Sequence, residues 1–202
     1  MQTRGFKIWL LTNVLIFSSV VFIYAQPKKQ VSRFSHKGVK LALGSGSYEI
    51  ISERGLDEGD GGVLSLGYGF TDRFSLWLSL TGSEHVEQAQ NNLMVDFGGL
   101  ELNIQHKFEI DSRFQPYGKV GLGLYDLQEQ GSDVALIGAG INLAFGLDFF
   151  FARHFGVGAE LMFKKLDYVL QSQETANGDF ISDLNPNLNG DMVGFMLTFT
   201  IQ

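Results

Sequence analysis

Between Arg73 and Thr81 the side chains Phe74, Leu76, Leu78 and Leu80 alternate with Ser75, Trp77, Ser79 and Thr81. A strand satisfies this period of two and a helix cannot. The alternation returns near 38–47, 62–70, 94–108, 115–127, 134–151, 155–169 and 191–202, separated by clusters of Gly, Asp, Asn and Ser. Eight strands are therefore predicted. The 25 Gly, 18 Phe and 3 Pro fit strands joined by tight turns better than helices. A chain of 202 residues with no shift in composition reads as one domain.

The connections alternate in length. Thr71-Asp72, Glu109 to Phe114 and Ala152 to His154 are short, whereas 48–61, 83–93, 128–133 and 170–190 are longer. Short turns at one end and long loops at the other predict an antiparallel up-and-down barrel, and an even strand count puts both of its ends on the short-turn side.

The polar faces decide what surrounds such a barrel. One face of 134–151 reads Gly138, Gly140, Asn142, Ala144, Gly146 and Asp148, while the other reads Ile137, Ala139, Ile141, Leu143, Phe145, Leu147 and Phe149. Rows of Gly suit a cramped interior and would leave backbone bare in water. The uniformly apolar face then meets lipid, giving a transmembrane β-barrel over 38–202 with short periplasmic turns and longer outer loops. Phe70, Phe74, Phe108, Phe151 and Phe155 flank the short turns with apolar-face parity, as a periplasmic aromatic girdle would.

Upstream, Arg4 and Lys7 precede an apolar run from Ile8 to Tyr24 and then Ala25. Residues 1–25 read as a secretory signal peptide cleaved after Ala25, in preference to an uncleaved anchor. Residues 26–37 read as a polar periplasmic linker without structure.

Composition removes several chemistries. With no Cys there is no disulfide, thiolate metal site or catalytic thiol. A net charge of −7, with two bases and no acid in residues 1–25, argues against nucleic acid. His36, His85, His106 and His154 are too scattered for a metal site. Inward parity collects Lys40, Glu101, Lys107, Lys119, Asp148, Glu160 and Lys164, which are expected to pair into a lumen charge network that blocks flow. A gated ion path or a catalytic carboxylate pair is the functional alternative. The outer loops are acidic at Glu53, Asp57, Glu58, Asp60, Glu84, Glu87, Glu174, Asp179 and Asp183, and read as solvated surface; Phe180, Ile181 and Leu184 offer a docking point.

The segments GYGFTDRFSLWLSL (67–80), QPYGKVGLGLY (115–125) and GAGINLAFGLDFFFARHFGVGAEL (138–161) resemble the small outer-membrane β-barrel superfamily, particularly eight-stranded barrels of Bacteroidetes-type Gram-negative bacteria. The resemblance covers about residues 38–202. It implies residence in the outer membrane among lipid and lipopolysaccharide, and assembly by the barrel assembly machinery. Many such barrels end in Phe; here Phe199-Thr200-Ile201-Gln202 keeps apolar parity but is displaced by one. The family's lipid A deacylases carry a His-x-Ser pair on the outer wall, and neither His106-Lys107-Phe108 nor His154-Phe155-Gly156 matches it. A non-enzymatic role, structural or in surface interaction, without cofactor, is the reading that follows. Its competitors are a soluble lipocalin-like barrel carrying a small apolar ligand and a membrane-embedded lipid-modifying enzyme.

Overall fold

The computed structural model describes residues 34, 36–51, 56, 58–87, 93–175 and 178–202. The predicted signal peptide and most of the linker lie outside them. All described secondary structure is β: β1 (Gly38–Ile51), β2 (Gly59–Gly69), β3 (Phe74–Glu87), β4 (Leu93–Lys107), β5 (Phe114–Glu129), β6 (Val134–Phe150), β7 (Phe155–Thr175), β8 (Gly178–Asn189) and β9 (Asp191–Ile201). Each strand pairs antiparallel with the next from β1 to β7; β9 then pairs with β7 on one side and β1 on the other, closing the barrel.

The wall has eight strands although the described residues supply nine. The lower half of β7 pairs with β9 (Phe155↔Ile201 to Lys164↔Met192), and its upper half with β8 (Asp167↔Asn189 to Thr175↔Gly178). β8 and β9 are thus one wall strand broken at Gly190–Asp191. Within 170–190, predicted as a loop, residues 170–175 and 178–189 instead continue the ladder as the paired strands of a hairpin. Its outward edge carries exposed Phe180 and Ile181.

The short turns close by local bonds. Thr71 Oγ1 accepts from the amides of Arg73 and Phe74 at 3.2 and 2.9 Å, and the Glu109 carboxylate accepts from Ile110 and Asp111 at 2.9 and 2.8 Å. Polar side chains here do the work of backbone partners. At the other end Gly131 takes a φ of 80°, the left-handed conformation that glycine adopts without a Cβ clash.

Outward residues of the lower wall are apolar and exposed: Val39, Leu66, Leu78, Leu102, Leu122, Phe145 and Leu197 among them. So large and continuous an apolar surface is stable against hydrocarbon and would aggregate in water, which disfavours the soluble lipocalin-like alternative. The belt is uneven. Counted up from the short turns it holds Val39, Leu41 and Leu43 on β1 before Ser45, but runs from Phe149 through Leu147, Phe145, Leu143, Ile141 and Ala139 to Ile137 on β6.

Above the belt the polarity inverts while the parity continues. Inward positions become Tyr48, Ile50, Val95, Phe97, Leu127, Leu136, Leu166, Tyr168 and Met192, all buried in one apolar cluster. Outward positions become Ser47, Asp60, Glu84, Asp96, Asp126 and Asp167. The upper half is therefore built like a soluble barrel, with oil inside and water outside, and the lower half the other way round. A polar interior expected along the whole barrel holds below this level; above it the buried Ser83 and His85 lie among apolar neighbours.

Candidate functional site

The lumen below the apolar cluster places all seven sequence-predicted charges inside the wall, six of them as three ion pairs stacked upward from the periplasmic mouth. Lowest, Lys107 Nζ lies 3.1 Å from Asp148 and donates to Gln115 Oε1 at 2.8 Å. Next, Lys119 pairs with Glu160 at 2.5 Å, and Tyr117 OH donates to the same carboxylate at 2.7 Å. Highest, Lys164 pairs with Glu101 at 2.6 Å. Lys40, the seventh, donates to Ser75 Oγ at 2.7 Å.

The two glutamates have donors besides their lysines, as burial of an anion demands. Glu101 accepts from Asn103 Nδ2 at 3.1 Å and from Tyr125 OH at 3.3 Å. Tyr125 OH also meets Asn142 Oδ1, and Asn142 Nδ2 reaches Asn103 Oδ1 at 3.3 Å. Lys164 lies 5.5–5.6 Å from the ring centres of Tyr48, Phe97 and Tyr125, so the top of the polar column is roofed by aromatic faces that attract a cation. Between the upper two pairs remains a cavity of about 30 Å³, bordered by Ser79, Thr81, Asn103 and Asn142. That volume is of the order of a single water.

Glycines make room for the large interior rings. A Cβ at Gly67 would lie 2.6 Å from the Trp77 ring, one at Gly99 2.5 Å from Tyr125, and one at Gly146 2.3 Å from Tyr117. The Gly rows noted in the sequence are thus the floor on which neighbouring aromatics lie. Tyr117, Tyr125 and Asn103 escaped the sequence reading, which put Asn142 on the inward face but counted only formal charges as interior partners.

At the mouth the predicted linker has structure at its end. Phe34 and His36 are buried, with Phe34 and Phe150 ring centres 6.0 Å apart and His36 5.4 Å from Phe150. His36 N donates to Asp72 Oδ1 at 3.2 Å, and His36 Nδ1 shares a 2.8 Å bond with Gln202 Oε1. Parity explains why: even positions of β9 face inward, so Ile201 meets lipid while the Gln202 side chain turns into the mouth. No periodicity marks 26–37, so only tertiary contact reveals this closure.

Burial pushes the His36 imidazole down to about 3, with Lys107 and Lys40 also opposing its protonation and Gln202 and Asp72 favouring it. Its seated form is neutral. A group that gains a proton only on release stabilises the seated segment above its ordinary value of 6.5, and that contribution is lost as pH falls from there toward 3. Acidification from pH 7 to 4 is expected to increase proteolysis after Lys37, and His36→Gln to flatten the response; a pH-independent cleavage rate in the native chain would sink the assignment.

The five predicted girdle residues lie at this same mouth, where ring contacts run Tyr68–Phe70, Phe74–His106–Phe108 and Phe151–Phe155–Phe199. Phe114 and Phe149 add a further pair, their centres 4.8 Å apart. A serine–histidine contact, Ser83 Oγ to His85 Nε2 at 2.8 Å, does exist, but both side chains are buried inside the barrel. Among the described residues no group of three or more His, Cys, Asp or Glu is arranged to hold a metal.

A closed barrel of eight strands, apolar outside and ion-paired within, defines a small transmembrane β-barrel. The chain belongs to the outer membrane protein beta-barrel domain family, whose model matches residues 14–199. Its place is the outer membrane, in contact with that membrane's lipid and lipopolysaccharide. Among solved structures the fold is similar to Neisserial surface protein A (TM-score 0.63, 14% identity, 82% of this chain and 97% of that one). It is also similar to outer membrane protein AlkL as seen in lipid bilayers (0.57, 12%, 87% and 95%) and to OprG of Pseudomonas aeruginosa (0.52, 16%, 81% and 97%). No curated protein matches it closely enough to count as a sequence relative.

Proposed function

We propose that this protein is a non-enzymatic outer-membrane barrel with a closed lumen, acting through its outer face in a structural or surface-interaction role. The carrying observation is the filled interior: Phe34 and Phe150 at the mouth, three ion pairs above them, and the apolar cluster over those. A lumen so occupied offers no route for a solute, and its charges serve to fix the packing and register of the strands. The phenylalanines at the mouth serve as the girdle that sets the barrel's depth. What faces the medium is the β7–β8 hairpin, with Phe180 and Ile181 exposed on it.

The catalytic alternative has little support from geometry, since Glu101 and Glu160 are each engaged by a lysine and Ser83 and His85 are sealed from lipid. In planar bilayers the purified chain is expected to give no stepwise conductance, whereas removing residues 178–189 should abolish surface binding without altering heat-modified mobility on gels. Steady ohmic channels from the intact chain would overturn the closed-lumen reading.

A further inference from the structure

Lys165 stands apart from every other base in the described residues. The short-turn end carries Lys37, Arg73, Arg113 and Arg153, and the remaining lysines of the wall point inward. On the upper outer surface the charged positions are otherwise acids, such as Asp60, Glu84, Asp96, Asp126 and Asp167. Lys165 faces outward with its side chain 64% exposed.

Its setting is lipid-facing. In the ladder Lys165 lies opposite Ile141 of β6, where the apolar belt continues upward through Ala139 to Ile137. The row below it reads Leu143, Phe163 and Val193 across β6, β7 and β9. With Ile51 and Ile141 these side chains border a groove of about 330 Å³ in the outer wall. A lysine beside hydrocarbon costs free energy that grows with depth, so an anionic partner there has a direct physical reward.

The break in the last wall strand shapes the head of this groove. Asp191 Oδ1 accepts from the Leu166 amide at 3.2 Å, replacing a ladder carbonyl, and Oδ2 lies 3.5 Å from Lys165 Nζ. One carboxylate oxygen is thus committed to the backbone and the other holds the ammonium loosely. An ammonium has three donors, and this pair uses one of them weakly.

We propose that the groove seats an acyl chain of a phosphate-bearing outer-leaflet lipid, with the lipid's phosphate held by Lys165. Charge complementarity selects the occupant: the surrounding outer surface repels a phosphate, and Lys165 is the described outward base at the height where an outer-leaflet headgroup meets its chains. Continuity of the groove with the lipid-facing belt supplies the apolar half of the site.

The test uses the full chain in detergent, checked for folding by its heat-dependent gel mobility, and native mass spectrometry with diphosphoryl lipid A. The native chain and Lys165→Arg are expected to retain one lipid A. Lys165→Gln is expected to bind about tenfold more weakly, as loss of one charge-assisted contact implies. Val193→Trp, which fills the groove and leaves the lysine, should weaken binding similarly, and lipid A stripped of its phosphates should behave like the Gln variant. Equal retention by Lys165→Gln, equal retention of the phosphate-free lipid, undiminished binding to Val193→Trp, or no retention by the native chain would each overturn the proposal.

Discussion

Glu101→Leu is expected to destabilise the folded barrel by about 3–5 kcal/mol, because it strands the Lys164 ammonium in a sealed interior. Lys164 is buried and its carboxylate partner 2.6 Å away is Glu101. The same substitution removes the acceptor of Asn103 Nδ2 and one acceptor of Tyr125 OH. The paired change Glu101→Leu with Lys164→Met should cost much less. Desolvating two charges offsets most of what their attraction returns, and an apolar pair of similar volume continues the cluster directly above. Equilibrium unfolding in denaturant, followed by tryptophan emission from Trp77, reads both variants. Equal losses for the single and double changes would show that the pair is not the unit of stability here.

Gly46→Ala is expected to impair closure of the barrel, at a cost of about 1–3 kcal/mol or more from overpacking. Gly46 of β1 lies opposite Met196 of β9 at the seam that joins the first and last wall strands. A Cβ there would sit 2.0 Å from the Phe195 carbonyl oxygen and 2.7 Å from the Met196 Cα. Both are backbone atoms, so relief requires moving a strand. Gly82→Ala is the control: its Cβ would meet the Phe97 carbonyl oxygen at 3.6 Å, an ordinary contact, and little change is expected. The fraction of each variant showing heat-modifiable mobility measures folding directly. If Gly46→Ala folds as fully as Gly82→Ala, the seam is not close-packed as described.

These expectations rest partly on features that were open to a reader of the sequence and partly on ones that were not. Alternation such as Phe74 to Thr81 specifies strands and their faces because a side-chain period of two is imposed by the backbone alone. The seven lumen charges follow from the same parity. Their partners do not, since Glu101 and Lys164 belong to β4 and β7, and strand stagger decides which interior residues share a level. The apolar upper interior was hidden for a related reason. Val95 and Phe97 share parity with Glu101 and Lys107, so an alternation count sees one amphipathic strand where polarity has changed sign. The hairpin of β8 was obscured by Asn185, Pro186, Asn187 and Asn189, residues that announce a turn and here sit beside the shift in its pairing with β7. Burial of Phe34 and His36 depends on Phe150 and Gln202, more than a hundred residues away in sequence.

The uneven belt sets how the molecule stands. A bilayer has nearly one hydrocarbon thickness around so narrow a barrel, yet the greasy wall is short at Val39 to Leu43 and tall from Phe149 to Ile137. Hydrophobic mismatch of this lopsided kind is relieved by inclining the axis, so that the β6 wall sinks toward the periplasm and the β1 wall rises, or by thinning the membrane on the β1 side alone. In the second case the protein gives the lipid around it a direction, with a thin flank against β1 and a thick one against β6.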